Sequence, residues 1–165
     1  MKRCAQLILL LGAIFLTGCW GDITKNRFTT GTVHIDKFPP FKNYVETPLE
    51  LKRTAYLKVD KGLFADDYFL ESEEFKNSFP NDHRETIALS PGTTILLHSI
   101  SRDFDFEGGS YSFEARGEVK LPQKGKVQFE YIWGYGDIER APWESEDVPP
   151  KRYWDDKTKK LGPLN

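Results

Sequence analysis

Residues 93–133 read TTILLHSISRDFDFEGGSYSFEARGEVKLPQKGKVQFEYIW, and two turn signals divide them. Gly108-Gly109 suits a two-residue hairpin turn, because glycine enters the left-handed backbone region without steric cost. A turn there pairs Phe106 with Tyr111, Phe104 with Phe113, Ile100 with Gly117, His98 with Val119 and Leu96 with Leu121. These residues share one face. Arg102, opposite Ala115, is the exception, while Asp103, Asp105, Ser112, Glu114 and Glu118 point outward. The second turn, Gln123-Lys124-Gly125, pairs Leu121 with Val127, Val119 with Phe129 and Gly117 with Tyr131, continuing the same face. Two independent turns that agree on one apolar face predict a three-strand meander from Thr93 to Trp133. Gly117, in mid-strand, predicts a bend or an aromatic ring lying over the backbone.

Upstream, Leu49, Leu51, Ala55, Leu57 and Val59 alternate with Glu50, Lys52, Thr54 and Lys58, which predicts a strand whose pattern only Arg53 breaks. A first strand is expected within Thr29–Asp36, ended by Phe38-Pro39-Pro40, since proline cannot donate to a ladder. One short helix is expected over Ser72–Ser78, with Ser72 as cap and Glu73 and Glu74 in the first turn, where acids are favoured. Pro80-Asn81-Asp82 ends that segment, and Ser90-Pro91-Gly92 forms a turn. The fold class expected is all-β, with at most one short helix. Curvature at Gly117 suits a small antiparallel barrel, and the architecture resembles SH3-like or related barrels over residues 29–135. Residues 136–165 carry Pro142, Pro149, Pro150 and Pro163 and read as an extended, partly disordered tail. Trp143, Tyr153 and Trp154 pin its first half, and Lys157–Asn165 is expected to be disordered.

The N-terminus has its own logic. Lys2 and Arg3 precede an apolar run from Ala5 to Leu16, which is shorter than the roughly 20 residues that span a bilayer as a helix. Small residues Thr17 and Gly18 then lead to Cys19. The order Leu16-Thr17-Gly18-Cys19 resembles the lipobox of bacterial lipoproteins. The resemblance implies that diacylglycerol is first joined to the Cys19 thiol, that a dedicated signal peptidase recognising Leu16, Thr17 and Gly18 then cuts before Cys19, and that the new amine is acylated, with palmitate among the chains. Each buried methylene contributes about 0.8 kcal/mol, so two or three chains hold firmly where one is marginal. Residues 1–18 are then a signal peptide and 19–28 a tether. Trp20 stands where lipoproteins retained in the inner membrane carry Asp, so the resemblance implies the outer membrane, facing the periplasm.

Composition excludes several functions. The net charge is −2, and loss of Lys2 and Arg3 with the signal makes the remainder more negative, which argues against nucleic acid as a partner. Cys4 leaves with the signal and Cys19 is consumed by lipid, so no disulfide is expected. The acids Asp103, Asp105 and Glu107, with Gly108 and Glu114, resemble the spacing of an EF-hand calcium loop. Glu107 stands where that loop has Asp or Asn, and the flanks alternate as strands rather than helices, so the acids read as the solvated face of a hairpin. His34, His83 and His98 lack metal-site spacing, and His98 is expected on the core face. No Ser occupies a nucleophile elbow and no glycine-rich phosphate loop is present. Neither a metal nor a cofactor is predicted.

Phe129-Glu130-Tyr131-Ile132-Trp133-Gly134-Tyr135-Gly136 has an aromatic residue at every second position and glycines at its end, so Tyr131, Trp133, Tyr135 and Trp143 form a candidate groove for a peptide or glycan, set against the simpler reading of strand packing beneath the tail. The function expected is that of a membrane-anchored envelope lipoprotein with a non-enzymatic binding or scaffolding domain. Its partners are the membrane, through Cys19, and an envelope protein or cell-wall component. An inhibitor or immunity protein against a toxin or wall hydrolase is the alternative. A hydrolase using a dispersed acid pair from Asp66-Asp67 and Glu73-Glu74 ranks last.

Overall fold

The computed structural model describes residues 31–78, 83–105 and 109–163. The chain is mainly β. Eight strands form one sheet: β1 (Val33–His34), β2 (Pro48–Glu50), β3 (Ala55–Lys61), β4 (Asp66–Ser72), β5 (Glu85–Leu89), β6 (Thr94–Asp105), β7 (Ser110–Leu121) and β8 (Gly125–Tyr135). Their order is β1-β6-β7-β8-β4-β3-β5, with β2 also on β6. Among the described strands β4 and β8 are the parallel neighbours. The α-helix α1 (Glu73–Ser78) follows β4 where the sequence places it, and the Ser72 hydroxyl accepts from the Phe75 amide at 3.2 Å as its cap. Among the described residues no pairing joins β5 to β1 or β2. The closed barrel expected from the sequence is therefore not shown. A two-residue β1 and a five-residue β5 are short edges for closure.

The meander forms on the expected face but in another register. Phe104 pairs with Tyr111 and Arg102 with Phe113, so the connection spans residues 106–109 in place of a two-residue turn; 106–108 lie outside the described residues. The second turn is tighter than expected: Leu121 pairs with Gly125, whose φ of 73° is left-handed, and Val119 with Val127. A shift of two residues keeps every side chain on its side of the sheet. A bulge between Leu97 and Ser99 does not, because one added residue inverts the alternation. Ile95 and Leu97 therefore point inward, while His98, expected in the core, faces out beside Glu46 at 2.9 Å. Gly117 answers this bulge. A Cβ there would lie 3.0 Å from both Leu97 and the Phe129 ring and against the Leu96 carbonyl, so an aromatic ring does overlie the backbone.

The expected strand Leu49–Val59 divides. Its first part pairs with β6 as β2, and its second pairs with β4 and β5 as β3. Arg53, the residue that breaks the alternation, lies between them and donates to the carbonyls of Arg140 and Ala141 at 2.9 and 2.8 Å. Lys58, expected outward and solvated, is buried in an ion pair with Glu71 at 2.7 Å on the outer face of β3 and β4.

The C-terminal segment corrects the sequence reading most. Residues 136–163 are no extended tail: β9 (Ile138–Glu139), β10 (Lys151–Asp155) and β11 (Lys160–Pro163) form a second, three-stranded sheet. Ile138, Ala141 and Trp143 join the same core as Leu57, Ile100 and Phe129. β11 also occupies part of the stretch expected to be disordered. Three arginines hold this segment. Besides Arg53, Arg102 reaches from β6 to Asp156 between β10 and β11, and its guanidinium lies 4.1 Å from the Tyr111 ring centroid. Arg152 clamps Glu144 with two bonds of 2.9 and 2.7 Å, and Glu144 also accepts from the Ala141 amide at 2.8 Å and the Tyr44 hydroxyl at 3.1 Å. Burial, together with the charge of Glu144, pushes the Tyr44 phenol up to about 12, so it remains a donor.

Candidate functional site: an apolar hairpin apex

The predicted aromatic groove is not open. Trp133 is 0% exposed, and Tyr131 and Trp143 are buried with it, while Tyr135 is 59% exposed and stands apart. The Trp133 ring packs against Trp143 at 5.0 Å, Phe41 at 5.5 Å and Tyr44 at 5.8 Å between centroids. The reason is tertiary. A bulge at Trp133 turns the end of β8, and the segment leading to Trp143 folds over the rings that a free strand end would expose. The alternative reading, packing beneath the C-terminal segment, is the one the geometry bears out. Leu16, Thr17, Gly18 and Cys19 lie outside the described residues.

Of the residues singled out by calcium-loop spacing, Glu107 and Gly108 lie outside the described residues, and Asp103 and Glu114 are arranged differently from either expectation. Asp103 pairs with Ser112 and Ser101 with Glu114, so two carboxyl side chains sit diagonally across β6 and β7. Both are about nine-tenths buried rather than solvated, with Ser101 donating to Asp103 at 3.1 Å and Ser112 to Glu114 at 3.2 Å. Burial, and then the neighbouring Asp103, raise the Glu114 carboxyl above its ordinary value. Stability from a raised carboxyl is fully present below the unfolded pKa and is lost as pH rises through the folded one. Glu114→Gln is therefore expected to raise the melting temperature at neutral pH and to flatten the loss of stability between mildly acidic and neutral pH. A pH profile parallel to wild type would contradict this.

The acid pair of the hydrolase reading does not converge. Asp66-Asp67 and Glu73-Glu74 stand at opposite ends of β4, a separation of about 20 Å for a strand of this length. Near Glu73 and Glu74 a cleft of about 260 Å³ is lined by Arg53, Thr54, Ser72 and Pro142. Arg53 is already engaged there by two carbonyls and stands 3.9 Å from Glu74. Among the described residues no group of three or more His, Cys, Asp or Glu is placed to hold a metal ion.

A different feature stands out of solvent-facing backbone. The β3–β4 hairpin carries Gly62-Leu63-Phe64-Ala65 at its apex, where Leu63 is 98% exposed and Phe64 fully so. Below it the strands are well rooted: Val59, Leu57 and Ala55 are buried opposite Tyr68, Leu70 and Ser72. The outer face is covered by α1 and by cations over rings, with Lys76 3.8 Å from the Tyr56 centroid. Lys124 steadies the root from the β7–β8 turn through the Tyr68 hydroxyl at 3.2 Å and Asp66 at 4.0 Å. Tight backbone geometry supports the apex, since a Cβ on Gly62 would collide with the Ala65 carbonyl. Two adjacent large apolar side chains held clear of the surface on a fixed hairpin are what a protein presents to another surface. The sequence signal for it is an apolar pair between Lys61 and Asp66, just where the alternation of β3 has ceased.

Compared with known proteins, the chain matches no family model, no curated protein and no solved structure. Its function is read from its own residues.

Proposed function

We propose that this protein is a lipid-anchored lipoprotein of the bacterial cell envelope whose β domain is a non-enzymatic binding or scaffolding module. The Leu16-Thr17-Gly18-Cys19 sequence supports the anchor, with acyl chains on Cys19 and the outer membrane, facing the periplasm, as its place. The observation that carries the binding role is the exposed Leu63-Phe64 apex on its rooted hairpin. Its partner is an envelope protein or a cell-wall component. Buried ionisable groups such as Lys58, Glu71, Glu144 and Arg152 are engaged with one another, which is a structural use of charge. The same projecting apex also suits an inhibitor or immunity lipoprotein that enters the cleft of a toxin or wall hydrolase. Rescue of cells from such an enzyme on expression would select that second reading.

Cells given labelled fatty acid test the anchor. Wild type is expected to take up the label and to sediment with membranes, and Cys19→Ala to do neither. Equal labelling of the two would sink the proposal.

A further inference from the structure

The charges around the apex say what kind of surface it meets. Asp60 and Asp67 are directly opposite each other across β3 and β4, on one face, three residues before Leu63 and three after Phe64. Like charges so placed destabilise a hairpin. Both are exposed, and among the described residues neither forms an ion pair. Of the cations at this end, Lys61 pairs with Glu85 at 3.1 Å, Lys124 with Asp66 and Tyr68, and Arg84, beside Asp60 in the β3–β5 register, lies over the Phe69 ring at 5.8 Å. Leu63 and Phe64 therefore stand above two facing acids that have no ion-pair partner among the described residues.

We infer that the β3–β4 apex docks into an apolar pocket of an envelope protein whose rim carries lysine or arginine. Such a pocket takes up both apolar side chains and supplies the cations that Asp60 and Asp67 lack. Two other occupants fit these acids poorly. A bilayer bearing anionic lipid repels the acids that would approach it with the tip, and a symmetric contact with a second copy sets two such acid pairs face to face.

Topology agrees. The chain enters the folded unit at Gly31, whose neighbour is Phe104, at the end of the sheet that holds the β6–β7 turn. β4 runs parallel to β8, so residues 62–65 lie at the other end, level with the β7–β8 turn. From the level of Phe104 to that of Thr94, strand rise gives about 30 Å. Gly31 and the apex are thus at opposite ends of the sheet, and the inference rests on the lipoprotein reading, which makes proteins of the envelope the ones the apex can meet.

The test uses the full chain in its own cells with a photoreactive phenylalanine at position 64, and at exposed Tyr153 as control. The expected result is a discrete protein adduct from position 64 and none from 153. The crosslinked peptide, located by mass spectrometry, should line an apolar pocket beside Lys or Arg, and Asp60→Lys with Asp67→Lys should cut adduct yield at least tenfold. These surface changes should leave the melting temperature at its wild-type value; if it falls, Asp60→Asn with Asp67→Asn is used with the same criterion. An adduct only to lipid, a self-adduct of doubled mass, no adduct, or a yield indifferent to both substitutions overturns the inference. The anchor is judged separately by fatty-acid labelling, so failure of the docking site and failure of the lipoprotein reading are told apart.

Discussion

Glu144→Ala is expected to destabilise the protein by about 3–5 kcal/mol, because removing one member of a buried ion pair leaves the other charge without compensation. The Glu144 carboxylate sits in the interior, where it accepts from Arg152, the Ala141 amide and Tyr44 together. Truncation strips a partner from each. Glu144→Gln retains shape and some acceptor capacity but not the charge that Arg152 needs, so it should fall between wild type and Ala. Tyr44→Phe removes one bond of the network and should cost about 1 kcal/mol. Urea denaturation of the purified protein measures all three. A Glu144→Ala cost below that of Tyr44→Phe would contradict the network.

Trp133→Ala is the second large effect, at about 3–5 kcal/mol for truncating a buried ring with a cavity left behind. Trp133 is fully enclosed by Phe41, Tyr44, Tyr131 and Trp143, which come from three separate places in the chain. Its indole N–H finds no acceptor among the described residues, so Trp133→Phe gives up area without breaking a bond and should cost well under half as much. Tyr44 touches both Trp133 and Glu144, so the two Ala substitutions should not add independently. Were Trp133 a groove residue, Ala would leave stability nearly unchanged and impair binding alone. A typical domain has about 5–15 kcal/mol in all, so either change puts most of that margin at risk.

Local signals were the readable ones. Turn glycines and strict alternation place β6, β7 and β8 and select their inner face, and the Ser72 cap with Glu73 and Glu74 locates α1. What local pattern does not encode is the count of residues across a bulge. The added residue at His98 reverses the alternation in β6, so Ile95 and Leu97 replace Leu96 and His98 inside. The C-terminal segment was missed because prolines and mixed charge look extended when read alone. Its order comes from distant partners: Arg53 and Arg102, the two residues that break otherwise regular alternations, are the ones that grip it. A charged residue on an apolar face is therefore a sign of a covering segment, and here it points to the covering that also closes the aromatic groove. The Leu63-Phe64 apex escaped notice for the opposite reason, since two apolar residues in a short loop read as ordinary until the hairpin is seen to hold them away from every neighbour.

In the proposed function, Cys19 holds the folded β domain to a membrane. Intact mass of the detergent-extracted protein from its own cells tests that most directly. The predicted species begins at Cys19 and is heavier than the bare 19–165 chain by one diacylglyceryl group, with or without a further acyl group on the new amine. A chain that retains Met1, or one that is cut and carries no lipid, would contradict it.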